Sequence, residues 1–154
     1  MLTEAVPVPN ANPRRGRLLY VLEDGASIAF VELFAAGRGD LMLLRAIDAE
    51  HGLVLARDAQ PDAILIDVNL LGASAVDFMK RLHEAADTEA IPILALGANS
   101  SPAAFARAID AGFFRYLAKP LRAQPFLEAL AYALEFTAME RSERGTSQPL
   151  KESP

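Results

Sequence analysis

The sequence predicts an α/β protein in which a doubly wound sheet of five parallel strands is covered by helices on both faces. Short apolar runs alternate with amphipathic segments five times along the chain. Most of these runs are too uniformly apolar for a sheet that has one face in water. With 154 residues, of which 52% are hydrophobic, the chain can bury one substantial core but is short for two ordinary domains.

Five apolar runs are predicted to be the strands, and both of their faces should be buried in the sheet. They cover residues 18–22, 41–47, 63–67, 91–96 and 113–117. The segments between them carry apolar residues at helical spacing. The residues expected to face inward are Phe30, Leu33 and Phe34, then Leu53 and Ala56, then Val76, Met79, Leu82 and Ala86, then Phe105, Ala108 and Ile109, and finally Phe126, Leu127, Leu130, Ala133 and Leu134.

The fourth helix has recognisable ends. Ser100 or Ser101 can cap its first turn, and Pro102 suits the first helical position because its missing N–H would be unpaired there anyway. Gly112 can end it, since glycine readily adopts the backbone conformation that closes a helix.

Both ends of the chain differ in composition from the middle. Residues 1–16 are predicted to be a flexible arm, because three prolines lie beside the basic cluster of Arg14, Arg15 and Arg17. The last helix is predicted to begin near Pro125 and to run to about Ala138. Residues 139–154 lose apolar periodicity and are predicted to be a disordered tail. One folded domain over residues 17–138 is therefore expected.

Composition excludes several classes of function. Fifteen basic residues against 20 acidic ones give a net charge of −5, which argues against a general nucleic-acid or anionic-membrane surface. There is no cysteine, so a disulfide framework or thiolate metal site is not available. No secretion signal and no apolar run of membrane-spanning length are present. We therefore expect a cytoplasmic protein that binds neither nucleic acid nor membrane.

Charged residues follow three of the predicted strands. Glu23 and Asp24 come after the first strand, Asp67 closes the third, and Lys119 follows the fifth. In a doubly wound sheet, ligands collect outside the carboxyl ends of the strands, so these groups should converge. Taken singly, each one has an ordinary reading as a helix cap, a turn residue or a solvated loop residue. Four at the same end of three strands favour a functional site.

The chemistry of such a cluster points to phosphoryl transfer. Three close carboxylates repel, and one lysine offsets only part of that charge, so the cluster calls for a bound cation. Oxygen ligands without nearby His or Cys suit Mg²⁺, which keeps several waters and takes one or two carboxylates. An aspartate can attack phosphorus when a metal and a lysine neutralise the transferred oxygens. Asp67 is the candidate nucleophile.

These residues resemble the response-regulator receiver family of two-component signalling, over roughly residues 17 to 138. YVLEDG resembles the acidic pair after the first strand, ILIDVNLLG the phosphoacceptor strand and loop, and YLAKP the lysine and proline that end the fifth strand. The resemblance implies a flavodoxin-like receiver fold with strand order 2-1-3-4-5. Asp24 would bind Mg²⁺ directly and Glu23 through water, while the backbone carbonyl of Asn69 would also bind the ion. Asp67 would take the phosphoryl group, and Lys119 would contact its oxygens.

The resemblance also assigns a conformational switch, and here the chain departs from the family. Tyr116 would be the rotating aromatic residue, and Pro120 would follow a cis peptide bond. Where the family has Thr or Ser after the fourth strand, this chain has Gly97, followed by Ala98. The hydroxyl that would move to the phosphoryl group is missing. The departure affects conformational coupling more than phosphorylation itself.

Three functions remain open at this point. The first is a stand-alone receiver that takes its phosphoryl group from a histidine kinase or phosphotransfer protein and signals to a downstream protein. The fourth helix, fifth strand and fifth helix would form the surface that contacts this downstream protein. The same surface is a candidate homodimer face. Such a receiver catalyses only its own phosphorylation and dephosphorylation. The second is a degenerate receiver that binds partners whatever its phosphorylation state. The third, a phosphatase, would want an acid at Asn69. An origin as a piece of a hybrid kinase is also open.

Overall fold

The structure, a computed structural model, describes residues 16–71 and 74–152. Five parallel strands form one sheet in the order β2-β1-β3-β4-β5. This confirms the doubly wound fold predicted from the sequence and the strand order that the family resemblance implies. The strands are β1 (Gly16–Val21), β2 (Leu41–Arg45), β3 (Ala63–Asp67), β4 (Ile93–Gly97) and β5 (Arg115–Ala118).

Helices connect the strands and cover both faces of the sheet. They are α1 (Gly25–Ala36), α2 (Ala49–Ala59), α3 (Val68–Leu71), α4 (Ser74–His83), α5 (Pro102–Ala111) and α6 (Ala123–Glu152). The four-residue α3 was not predicted. One core cluster contains buried residues of α2, α4 and α5, and the other contains buried residues of α1 and α6. The helices therefore lie in two layers, as a doubly wound sheet requires.

Burial of both sheet faces explains the uniformly apolar runs. Along β1, Leu18 and Tyr20 belong to one core cluster, whereas Leu19 and Val21 belong to the other. Every residue of β3 and β4 is buried, because these strands have a neighbour on each side and helices above and below. The edge strand β2 is only partly buried. The prediction that both faces are covered is thus confirmed for the central strands.

Some helix residues predicted to face inward are exposed. The sequence pattern is right for Leu53, Ala56, Met79, Leu82, Ala108, Phe126, Leu130 and Ala133, all of which are buried. It is wrong for Leu33, Val76, Ala86, Phe105, Ile109 and Leu127, which are exposed. In α5 the reason is close packing through the small residues Ala104 and Ala108, which turns the larger side chains outward. Ser101 caps α5, and Gly112 ends it at φ 113°, both as predicted.

The two ends of the described chain correct the predicted boundaries. β1 begins at Gly16, which was assigned to the arm, and the backbone N–H of Arg17 in this strand donates to Asp62 Oδ2 at 2.7 Å. Arg14 and Arg15 lie outside the described residues. The last helix does not stop near Ala138 but continues to Glu152, so residues 139–152 are helical rather than disordered.

Contacts with Asp62 hold α6 at its predicted end and just beyond it, up to Arg141. The Thr137 hydroxyl donates to the Asp62 carbonyl oxygen at 2.6 Å, and the Arg141 guanidinium forms an ion pair with the Asp62 carboxylate. These partners lie 75 and 79 residues apart in sequence, so local helical spacing carries no trace of them. No helix in the part of the chain that the structure describes is long and apolar enough to cross a membrane.

Candidate functional site

The carboxyl edge of the sheet brings the predicted charged residues into one cleft. Asp67 is the last residue of β3, Asp24 lies between β1 and α1, and Lys119 directly follows β5. Together with Glu23 and Asn69 they line a cleft of about 350 Å³. The convergence predicted from the parallel strands is therefore present.

The ammonium group of Lys119 lies between two carboxylates. Its Nζ donates to Asp67 Oδ2 at 2.7 Å and lies 3.1 Å from Asp24 Oδ1. The Asp67 side chain is almost fully buried, whereas that of Asp24 is 41% exposed. Burial lowers the pKa of Lys119, but its bonds to Asp67 and Asp24 outweigh burial and raise it above its usual value. Lys119 thus stays charged throughout the neutral pH range.

Asp24 has a structural role beside its place in the cleft. Its Oδ2 accepts a hydrogen bond from the backbone N–H of Ser27 at 2.9 Å, which caps α1. Burial raises the pKa of Asp24, but this bond and the Lys119 ammonium outweigh it, so the pKa lies below its usual value. Its Oδ1 is buried, and the contact described for it is the one with the Lys119 ammonium at 3.1 Å. Such an oxygen is suited to a further cation.

Asn69 connects the phosphoacceptor loop to the end of β4. Its backbone N–H donates to Asp67 Oδ1 at 2.8 Å, and its side-chain Oδ1 accepts from the backbone N–H of Ala98 at 2.7 Å. The family resemblance implied a role for the backbone carbonyl of Asn69 but did not indicate this side-chain contact. The partners are 29 residues apart, and only the order of the strands brings them together.

The predicted switch residues occupy the adjoining part of the sheet. Gly97 is the buried last residue of β4, and its carbonyl accepts from the Lys119 N–H at 2.8 Å. Tyr116 is 8% exposed, and its hydroxyl donates to the Asn99 carbonyl oxygen at 2.6 Å. Burial raises the pKa of Tyr116. The peptide bond between Lys119 and Pro120 is cis.

The oxygen atoms of the cleft fit a magnesium ion. Within residues 16–71 and 74–152, no three His, Cys, Asp or Glu side chains gather in a metal-binding group, so the three carboxylates share a cleft without forming a cage. Mg²⁺ does not need one, because it usually keeps several waters and takes one or two carboxylates. The buried Oδ1 of Asp24 and the carboxylate of Asp67 provide that number. Asn69 and the exposed Glu23 line the same space.

Comparison with protein-family models matches residues 23–131 to the response regulator receiver domain. Among curated proteins, the phosphate regulon transcriptional regulatory protein PhoB of Klebsiella pneumoniae is 30% identical over 104 residues, which cover 68% of this chain and 45% of PhoB. The KDP operon transcriptional regulatory protein KdpE of Escherichia coli is 29% identical over 103 residues, or 67% of this chain and 44% of KdpE. The chain thus spans about half the length of the curated relatives it matches.

Solved structures agree with the family match. A putative response regulator from Chloroflexus aurantiacus is 30% identical at a TM-score of 0.68, covering 81% of this chain and 99% of that one. The chemotaxis response regulator CheY4 of Vibrio cholerae is 25% identical at a TM-score of 0.66, covering 78% of this chain and 99% of CheY4.

Proposed function

This chain belongs to the response regulator receiver domain family, and from that premise we propose that it accepts a phosphoryl group on Asp67 from a histidine kinase or phosphotransfer protein. Receiver domains generally bind Mg²⁺ in an acidic pocket and are phosphorylated on an aspartate. For this chain we assign the acceptor to Asp67, with a cytoplasmic location as the sequence predicts.

One observation carries the proposal. Asp67 is a nearly buried carboxylate that opens into a polar cleft and is held by an ammonium group 2.7 Å away. In the proposed step, a carboxylate oxygen bonds to phosphorus while the bond from phosphorus to the donor histidine nitrogen breaks. That nitrogen keeps the bonding electron pair. Lys119, 2.7 Å from the attacking carboxylate, would contact the phosphoryl oxygens and stabilise their charge.

The other residues of the cleft orient and balance charge. The backbone N–H of Asn69 holds one oxygen of Asp67, and Lys119 holds the other. Asp24, Asp67 and the backbone carbonyl of Asn69 would hold Mg²⁺, with Glu23 acting through water. A bound Mg²⁺ supplies positive charge to the phosphoryl oxygens. We propose no turnover of external substrates, since Asn69 stands where aspartate-dependent phosphatases usually have an acid.

A downstream protein would bind the surface formed by α5, β5 and α6, which are the fourth helix, fifth strand and fifth helix of the sequence prediction. Exposed apolar side chains lie there, including Phe105, Tyr132 and Phe136. Arg115 lies over the rings of Phe114 and Tyr132, at 5.3 and 5.2 Å from their centroids. The same surface is a candidate homodimer face.

The proposal predicts one phosphoryl adduct on the intact protein. The protein is incubated with Mg²⁺ and acetyl phosphate and then weighed by mass spectrometry. We expect a single adduct that disappears in Asp67→Asn and when the metal is chelated, because the nucleophile or the balancing cation is then lost. Asp62 is a second buried aspartate, at the amino end of β3. Asp62→Asn is therefore the matched control and should keep the adduct. An adduct that persists in Asp67→Asn would contradict the proposal.

A second function, binding that does not depend on phosphorylation, is favoured by one observation. Gly97 has no hydroxyl to form a bond with a phosphoryl group on Asp67. Partner affinity measured with and without beryllofluoride, a phosphoryl mimic, separates the two functions. A clear difference favours signalling by phosphorylation, and equal affinities favour a degenerate receiver.

A further inference from the structure

Gly97 and Tyr116 lie side by side on neighbouring strands, with the tyrosine ring against the glycine. Residues 95 and 116 are register partners of β4 and β5, which brings the Tyr116 ring alongside the end of β4. A β-carbon at position 97 would overlap the Tyr116 hydroxyl oxygen, and it would lie 3.0 Å from both Tyr116 Cζ and Val68 Cγ2. The space that any other residue would fill at this position is therefore taken by the tyrosine.

Further contacts hold the ring in this place. Its hydroxyl donates to the Asn99 carbonyl oxygen at 2.6 Å, so the polar end of the ring is paired. Phe105 packs edge-on against it, with ring centroids 4.8 Å apart. These contacts are with Asn99 and Phe105, while the charges of Asp67 and Lys119 also act on the Tyr116 hydroxyl.

We infer that Gly97 lets the Tyr116 ring occupy its buried position in the unphosphorylated protein, so that the α5 and β5 surface around Phe105 is preset and a phosphoryl group changes it little. A side chain at position 97 would occupy the place of the Tyr116 hydroxyl, so the ring could not rest there without a shift of one of the two. Gly97 has no such side chain, so the ring lies there without a phosphoryl group on Asp67. The placement of the ring does not depend on the proposed phosphorylation of Asp67. The small response of the surface to a phosphoryl group rests on that proposed function.

The position of Tyr116 is measurable by fluorine NMR on protein labelled with fluorotyrosine. The chain has three tyrosines, and Tyr116→Phe identifies the resonance of interest. A soluble gadolinium chelate broadens the resonances of exposed rings. We expect the Tyr116 resonance of the wild-type protein to be equally protected with and without Mg²⁺ and beryllofluoride. In Gly97→Ala without beryllofluoride it should become accessible, because the new methyl group displaces the ring.

Gly39→Ala is the matched control, since a β-carbon there has no atom within 4 Å. This variant should leave the Tyr116 resonance protected. An accessible Tyr116 in the wild-type protein that becomes protected on addition of beryllofluoride would overturn the inference. The wild-type comparison needs no variant, so it decides the matter even if Gly97→Ala fails to fold. Loss of the Asp67 adduct with a protected Tyr116 would defeat the proposed function while leaving the ring placement intact.

Discussion

The amino and carboxyl ends of the parallel strands, called here the amino and carboxyl edges of the sheet, each hold a buried aspartate paired with a cation. The two pairs differ in how accessible the carboxylate is. At the amino edge, Asp62 accepts from the Arg17 backbone N–H and pairs with Arg141 of α6. At the carboxyl edge, Asp67 pairs with Lys119 and faces a cleft of about 350 Å³. The first aspartate joins a strand to a helix, whereas the second opens toward a space that a small ligand can enter.

The difference shows that burial and pairing alone do not identify a reactive carboxylate. The guanidinium of an arginine presents fixed donors, which suits a permanent bridge between elements. A lysine ammonium is a compact charge on a flexible stem. Lys119 contacts Asp67 and Asp24, and under the proposed function it would also contact an incoming phosphoryl group. The contrast predicts that substitutions at the two edges affect different properties of the protein.

The largest expected effect is on phosphorylation rate. Lys119→Ala removes the charge beside Asp67, so phosphorylation by acetyl phosphate with Mg²⁺ should slow by about 10²-fold or more. Arg141→Ala, at the other edge, should phosphorylate at the wild-type rate. Adduct formation followed by mass spectrometry over time checks both. Equal slowing in the two variants would remove the distinction between the edges.

A smaller effect is expected on stability, and here the substitution at the amino edge, Arg141→Ala, should have the effect. Arg141→Ala leaves the buried Asp62 carboxylate without its cation, which should lower the free energy of unfolding by about 1 to 3 kcal/mol. Arg38→Ala breaks an exposed pair with Asp40 and should cost less than about 1 kcal/mol. Urea unfolding followed by circular dichroism measures both. The account of α6 fails if Arg141→Ala is as stable as Arg38→Ala.

The smallest effect concerns the pH dependence of stability. Asn caps helices as well as Asp does, so Asp24→Asn keeps the cap of α1 and removes only the charge. Because the pKa of Asp24 lies below its ordinary value of 3.8 in the folded protein, the carboxylate stabilises the fold above that pH. This contribution is lost as the pH falls through the folded pKa.

The measurement is urea unfolding of wild-type and Asp24→Asn protein in metal-free buffer across that pH range. The difference in free energy of unfolding should be below about 1 kcal/mol at neutral pH and should shrink in acid. A difference that grows as the pH falls would reverse the assigned sign.

Local patterns in the sequence were sufficient for the sheet and for the residues of the cleft. Asp67 was predictable because it ends a largely apolar strand, and Lys119 because it follows the last predicted strand; the carboxyl ends of parallel strands share one edge. The hydrogen bond from Ala98 to Asn69 and the contacts of Asp62 with α6 could not be predicted, because they join residues far apart in sequence. Ile109 was wrongly predicted to be buried. The sequence pattern identifies the apolar face of a helix but does not show that small residues on that face make the closest contacts with the sheet.

The most direct test of the central claim is chemical mapping of the phosphorylated residue. Borohydride reduces an aspartyl phosphate to homoserine, and peptide mass spectrometry then locates the converted residue. After treatment with Mg²⁺ and acetyl phosphate, the account predicts conversion at Asp67 and none at Asp62. Conversion at another aspartate, or at none, would contradict it.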